Sequence, residues 1–523
     1  MIQENEEGPV DIGIKNAKTA SFILVGRSVS IVISTLMFVL IARMLLSENY
    51  GLYTAAIGAT SLIVTFGSIN IGVYFNKYIP KMLSERDQRG VSVALGDGIM
   101  LLLFAFAIFL LIGIFGSRII AMYTLHNAIY SVLILASMIG VYTTFFNSIF
   151  YAVIVSFGDG ERAAILLVLN SIVQAVSSIG LIVLGYGALG AIIGYFLGSL
   201  FALIAGIVFV LKHSKVRFVI DGLWDRIRRM LKFSLPITIS NVLGSIANNL
   251  AIVLLSILFS ASIVGAYGIS LRVGNLIDMV AGSISVVLIP MFATAIHGSS
   301  KGKNLDKFYG YSIYFALFFT APLICYITIF SRSIILTVFT SSYYQSTIYM
   351  PLISIGILIG LFWNYSFSLL ASMGKINEIF KFSIAIFGSD TIAVLVLTPI
   401  FGAVGTIIAL FYVGNIIGNY VYIRSINKMG IKVSFGRSAR VLLANGILFL
   451  LLLPESLLSS LPKIQLVLGF AVIILAYPAL LIVTKALNDE EILLLEKVGK
   501  NVPVLGRMME FLLNYAKAIG RLV

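Results

Sequence analysis

The run Ser21–Tyr53, SFILVGRSVSIVISTLMFVLIARMLLSENYGLY, decides the class of this fold. About 20 apolar residues cross a bilayer as a helix, and between Thr19 and Ala42 the only charge is Arg27. A charge at the centre of such a helix costs about 2.5–3.5 kcal/mol on insertion scales. At helical spacing Arg27, Ser30 and Ser34 share one face, and Thr19 falls close to it. Two readings of that polar stripe stay open on this stretch alone. It borders a water- or substrate-filled cavity, or Arg27 snorkels to the headgroups of one leaflet.

The rest of the chain extends the same pattern. Its 523 residues are 59% hydrophobic and 11% charged, with a mean hydropathy of +1.05. Soluble domains carry about 25% charged residues, so the chain reads as an all-α polytopic membrane protein. Fourteen apolar runs are long enough to span. Six lie at approximately 19–43, 50–76, 91–116, 128–156, 163–185 and 188–211. Six more lie at 233–259, 262–294, 308–330, 347–371, 376–398 and 402–423, and two follow at 437–453 and 464–485.

The net charge of +14 could suggest nucleic acid, but the basic residues sit in short loops with no aromatic-lined basic groove, so no nucleic-acid partner is expected. All but six of the 36 lysines and arginines fall on the side of the N-terminus. The exceptions are Arg43, Arg118, Arg332 and Lys463 on the opposite side, and Arg27 and Arg272 within spans. The asymmetry places both termini in the cytoplasm and the protein in the cell membrane. A cytoplasmic tail (1–18) precedes an N-lobe (19–211), an amphipathic interfacial linker (212–232) with Trp224 at the interface, and a C-lobe (233–424). Two further spans (425–487) and an amphipathic tail (488–523), apolar on one side from Pro503, complete it. Cys325 is the single cysteine, and His126, His213 and His297 are far apart. No metal site, disulfide or cofactor follows from them.

The chain repeats itself. A shift of 214 carries Gly51-Leu-Tyr53 onto Gly265-Ala-Tyr267, one of 215 carries Gly187-Ala-Leu-Gly190 onto Gly402-Ala-Val-Gly405, and one of 216 carries Ser156-Phe-Gly158 onto Ser372-Met-Gly374. Matches in one order at a near-constant offset imply two copies of a six-helix unit. An even number of spans per copy makes the repeat parallel. The repeat also disposes of Gly185-Tyr-Gly187-Ala-Leu-Gly190, which spells a dinucleotide fingerprint but lacks a preceding strand and a ribose-binding acid.

Applied to the first stripe, the 214 shift maps Arg27 to Asn241, Ser30 to Gly244 and Ser34 to Asn248. The second span has its own stripe, Thr54, Gly58, Ser61 and Thr65, which maps to Gly268, Arg272, Asn275 and Met279. Arginine binds phosphate through a planar, bidentate fork. The candidate substrate-binding residues are therefore Arg27, Ser34, Asn241, Asn248, Arg272, Asn275 and Asp278. Against that stands a structural reading in which Asp278 pairs with Arg272, although about 120° separates them around the helix, and the asparagines join helices. Asp97, near a cytoplasmic end, is expected to be solvated. Gln174 and Asp390, related by the 216 shift, are expected to make matching helix contacts.

The run Ala42-Arg43-Met-Leu-Leu-Ser-Glu48-Asn-Tyr50-Gly51-Leu-Tyr53 resembles the A-R-x-L-G-P-E-x-Y-G-L-Y signature of the polysaccharide transporter, or O-antigen flippase, family. Lys77-Tyr78-Ile79-Pro80 is similar to its R-Y-I-P ending of the second span. Leu46-Ser47 stands where that signature has Gly-Pro, and Lys77 where it has arginine. The resemblance implies alternating access between two six-helix lobes, moving a polyprenyl-phosphate- or pyrophosphate-linked glycan from the inner to the outer leaflet. The superfamily also includes lipid II flippases and multidrug and toxin extruders. In such flippases, cavity arginines on the first and eighth spans hold the phosphate-bearing headgroup, and Arg27 and Arg272 match them by span and face rather than by a motif. Implied partners are the lipid-linked glycan, membrane lipids and glycosyltransferases or a polymerase of the same pathway, with the chain itself a monomer.

Two other functions compete. A drug–cation antiporter of the same superfamily generally needs a carboxylate in the first or seventh span, and neither 19–43 nor 233–259 contains one. A membrane glycosyltransferase or polymerase needs acids in a sizeable external loop, where Glu48 and Glu455 are the only ones. The expectation is a flippase and not an enzyme.

Overall fold

Among the described residues eleven helices are apolar and long enough to cross a membrane, and three of them each merge two spans across a backbone break. The computed structural model describes residues 9–297, 305–431, 436–458 and 461–488. Residues 1–8, the loop lysines Lys301, Lys303 and Lys432, and the tail from 489, with the amphipathic helix expected after Pro503, lie outside them. Among the described residues every regular element is helical.

The first merged helix is α1 (Pro9–Thr65), which turns at Leu46, where φ is 58° and ψ 177°. The second joins α5 (Gly160–Leu181) to α6 (Gly187–His213) through Gly185 and Gly187, both at positive φ. The third holds α12 (Ile376–Ile408), broken at Gly402, and α13 (Gly414–Lys428). With these counted as pairs the described residues hold fourteen candidate spans, and the chain is an all-α, multi-pass membrane protein.

The chain divides into two compact units, Met1–Gly265 and Ala266–Val523. The first contains α1, α2 (Gly72–Ser84), α3 (Gln88–Thr124), α4 (Ser131–Ser156), α5, α6, α7 (Leu223–Leu258) and the start of α8 (Ala261–His297). Asp87 and Asp159 start α3 and α5 by accepting the backbone N–H of Gly90 and Arg162 at 2.7 and 3.0 Å. Its core joins the end of α1 to α2, α3 and α4 through Val64, Phe75, Leu95 and Phe146, with Tyr142 donating to the Leu102 carbonyl at 2.7 Å. The second unit continues with α9 (Leu305–Ile329), α10 (Ser331–Val338), α11 (Ser346–Ser372), α12, α13, α14 (Gly436–Leu458) and α15 (Pro462–Val483). There Tyr309 meets Ser366 at 2.5 Å, and Tyr477 donates to the Phe318 carbonyl at 2.8 Å. Each tyrosine thus carries its hydroxyl into the core with a partner, as burial away from water demands.

Two stretches differ from the sequence expectation. The apolar run 50–76 is not one helix, because α1 ends at Thr65 and α2 begins at Gly72. The intervening Phe66-Gly-Ser-Ile-Asn-Ile71 carries a glycine and two side chains that compete for backbone hydrogen bonds, and the Asn70 N–H goes to Thr238 Oγ1 at 3.1 Å. The linker 212–232 is not a separate surface helix either. It comprises the end of α6, a non-helical stretch 214–222 and the first turns of α7, opened by Gly222 at φ 67°. Trp224 is nevertheless 72% exposed, as a side chain at a membrane interface is.

Some local devices recur at offsets of 215 and 216 residues. Gly187 (φ 52°, ψ −133°) and Gly402 (φ 60°, ψ −139°) take one conformation 215 residues apart. Gly158 and Gly374 share positive φ at an offset of 216. Gly198 packs on Gln174 in the first unit and Gly414 on Asp390 in the second, again 216 apart, so Gln174 and Asp390 are both helix contacts.

Leu46 holds a conformation that is essentially glycine's alone and costs about 1–3 kcal/mol for other residues. Its side chain is 49% exposed, so little burial offsets that cost. Leu46→Gly is expected to stabilise the protein by about 1 kcal/mol, the relieved strain less about 0.5–1 kcal/mol of glycine backbone entropy. Thermal unfolding in detergent checks this, with Leu46→Ala gaining nothing. A Leu46→Gly midpoint at or below that of Leu46→Ala contradicts the strain.

Candidate functional site

The first stripe splits when its neighbours are known. α5 packs along α1: the Thr19 hydroxyl donates to the Gly158 carbonyl at 2.8 Å, Gly26 lies against Ala164, and Ser30 and Ser34 meet the Ser171 hydroxyl at 2.5 and 3.3 Å. Ser34 is therefore engaged in a helix seam, where small hydroxyl residues let backbones approach. Arg27 is not part of that seam. It is exposed, within electrostatic reach of Tyr151 on α4, and among the described residues it makes no hydrogen bond or ion pair.

On α7, Asn241 and Asn248 are both exposed. Asn248 donates to the Gly244 carbonyl of its own helix at 2.9 Å. The second stripe of α1 is a seam like the first. Gly58 lies against Ile252 of α7, while Thr54 and Thr65 donate to the carbonyls of Tyr50 and Ser61.

In the second unit Arg272, Asn275 and Asp278 are all exposed along α8. Asp278 makes no ion pair among the described residues, so the structural pairing with Arg272 is not formed. In the Lys77-Tyr78-Ile79-Pro80 motif on α2, the Lys77 ammonium lies 4.5 Å from the centre of the Phe233 ring, and Ile79 is fully buried. The motif ties α2 to α7 by a cation–π contact.

Asp97 corrects the expectation of a solvated side chain. It is 1% exposed and accepts Arg226 Nε at 2.6 Å and Nη2 at 3.0 Å. The same guanidinium donates to the carbonyls of Val219 and Asp221, and its bond to Asp97 holds it above the ordinary arginine range. This clamp from the linker onto α3 was not found from the sequence. The signal was present: a lone acid in an apolar run needs a cation, and the basic run Lys212–Lys232 supplies one.

The comparisons with known proteins bear on what such an arrangement serves. Residues 17–296 match the model of the family described as polysaccharide biosynthesis protein. A search of the curated proteins finds no match. Among solved structures, the lipid II flippase MurJ in an inward closed conformation superposes with a TM-score of 0.68 at 16% identity, covering 86% of this chain and 96% of that one. A multidrug resistance MATE family transporter follows in its inward-facing conformation, with a TM-score of 0.56 at 15% identity, covering 79% of this chain and 100% of that one. An outward-facing MATE conformation gives 0.54 at 17% identity, over 80% of this chain and 96% of that one. At such identities the likeness establishes the fold.

The Asp97–Arg226 pair supports a test of its own. Arg226→Met leaves a buried carboxylate without its cation and is expected to cost up to about 3 kcal/mol. That is the low end for breaking a buried pair, because the Arg226 side chain keeps 22% exposure and part of its solvent screening. Adding Asp97→Asn removes the stranded charge and is expected to restore part of the loss. Thermal unfolding of both variants in detergent checks the order, and a double variant less stable than Arg226→Met contradicts it.

Proposed function

The chain belongs to the polysaccharide biosynthesis protein family, and from that premise we propose that it is a flippase. Its cargo is an oligosaccharide linked to polyprenyl phosphate or pyrophosphate, carried from the inner to the outer leaflet by alternating access. The observation that carries this reading is Arg27: a guanidinium exposed on an apolar span, with no acid to neutralise it among the described residues. A permanently charged fork there needs a counter-charge, water or a headgroup, and a ligand's phosphate supplies the first of these. Arg272, Asn275 and Asp278, exposed on α8, and Asn241 and Asn248 on α7 extend the same chemistry to hydroxyl-rich sugar. Ser34 belongs to the cargo path only if its contact with Ser171 opens during the cycle.

Duplicated six-helix units, both termini in the cytoplasm and action as a monomer complete the proposal. The drug–cation antiporter reading shares the fold. It finds a cation at Arg27 where ion coupling needs a carboxylate, and no acid in the spanning part of α7. The likeness in fold to a lipid II flippase and to MATE family transporters supports a transporter reading over a glycan-building enzyme.

Arg27→Ala and Arg272→Ala are each expected to lower export of surface glycan at equal protein level by about tenfold or more, since one hydrogen bond to a charged group is worth about 1.5–3 kcal/mol. Lysine at either position keeps the charge without the fork, and an intermediate level is expected. Full export by the double alanine variant would overturn the assignment.

A further inference from the structure

A second basic site lies at the end of the first unit where α3 begins and α6 ends. A cleft of about 500 Å³ is lined there by Arg89, Lys212, Lys215 and Arg217, with Gln88 and Ser92 beside them and no carboxylate in its walls. Three nearby acids have partners of their own. Asp87 caps α3 through the Gly90 N–H, Asp159 is held by Arg162 at 2.8 Å and His213 at 3.3 Å, and Asp97 is held by Arg226. The cleft walls thus carry four cations and no carboxylate, a local excess of positive charge that favours an anion.

The pocket is also built rather than draped. Its outer wall is the non-helical stretch after α6, and that stretch is bonded to α3. The Arg217 N–H donates to the Ser92 carbonyl at 3.0 Å, and the Ser92 and Ser214 hydroxyls lie 3.4 Å apart. A Cβ at Gly96 would overlap the Arg217 carbonyl, so only glycine lets the loop seat this closely. Downstream, Arg226 holds the carbonyls of Val219 and Asp221 while it pairs with Asp97. Arg217 is thus seated through its backbone, and the side chains of all four cations are exposed.

What presents the ligand is indicated by the same stretch. Phe218, Ile220 and Trp224 are 59%, 78% and 72% exposed, directly beside the cations. Large apolar side chains left outward next to lysines and arginines settle at the boundary between headgroups and acyl chains. That level is where lipid phosphates lie.

We propose that this cleft binds the phosphate-bearing headgroup of an anionic membrane lipid, in the leaflet that the charge asymmetry assigns to the cytoplasm. Its residues are not those proposed to bind cargo, and the inference does not rest on the flippase reading. The contacts expected are charge-assisted bonds from Arg89 and Arg217 to phosphate oxygens, with Lys212 and Lys215 as point charges.

The test is native mass spectrometry of the full chain in detergent, titrated with dioctanoyl phosphatidic acid, dioctanoyl phosphatidylcholine and inorganic pyrophosphate. Phosphatidic acid is expected to bind in preference to phosphatidylcholine and to be displaced by excess pyrophosphate. Arg89→Gln/Lys215→Gln/Arg217→Gln is expected to weaken it by about tenfold or more, and Lys307→Gln/Lys381→Gln/Lys485→Gln, which removes equal charge elsewhere, to leave it unchanged. Should the cleft triple variant lose its fold, Arg89→Gln alone carries the test, with a weakening of about threefold or more expected. No preference for phosphatidic acid, or equal loss in both triple variants, overturns the site. Binding of pyrophosphate without binding of the lipid overturns the lipid as its source and assigns the cleft to a soluble anion.

Discussion

Backbone meets backbone where the bend of α1 touches the junction of α7 and α8, and the first unit depends on that approach. A Cβ at Gly51 would overlap the carbonyl of Ala261, and a Cβ at Gly265 would overlap the carbonyl of Ser47. Between them the hydroxyls of Ser47 and Ser262 lie 2.9 Å apart. The contact is reciprocal, because 47 to 261 and 51 to 265 are both steps of 214. Within lipid there is no hydrophobic gain in bringing two helices together, so close packing of small residues must supply the attraction. Leu46 belongs to the same device. Its strained conformation sets the bend that delivers the Ser47 carbonyl to Gly265.

Most of the fold was legible from the sequence because spanning helices obey one strong rule: every backbone group must be satisfied within its own segment. Runs of apolar residues therefore map onto helices almost one to one, and breaks such as Gly187 and Gly402 fall where glycine clusters mark them. The run 50–76 escaped, since hydropathy does not register the break that Gly67, Ser68 and Asn70 make at the end of α1. The linker escaped for a related reason. Its helical periodicity is real from Leu223 onward, but periodicity does not tell a surface helix from the first turns of a spanning one.

The candidate site was legible in its charges and less so in its hydroxyls. A helical face records which residues point the same way, not what they point at. Ser30, Ser34 and the stripe from Thr54 to Thr65 read as cavity lining, yet their neighbours are Ser171, Ile252 and carbonyls of their own helix. Serine and threonine can return a hydroxyl proton to the preceding turn at little cost, so they serve helix seams as readily as polar cavities. An arginine has no such local outlet. Its five donors and fixed charge need an acid, water or a ligand, which is why Arg27 and Arg272 are better guides than the stripes around them.

Three aspartates stand on apolar helices, and they differ in their surroundings. Asp97 is committed to Arg226, and Asp390 is buried against Gly414. Asp278 is exposed and makes no ion pair among the described residues. Where this chain needed to neutralise a charge for structural ends it did so with two-point geometry, as the Asp97–Arg226 clamp demonstrates. Arg27 was given no such partner among the described residues, although a single acid on the facing turn of α4 or α5 would have provided one. A structural arginine and an arginine held for a transient anion carry the same insertion cost, and they differ in whether the protein supplies the counter-charge. By that criterion Arg226 is architecture, while Arg27 has what the proposed headgroup site requires, a fixed charge without a counter-charge among the described residues.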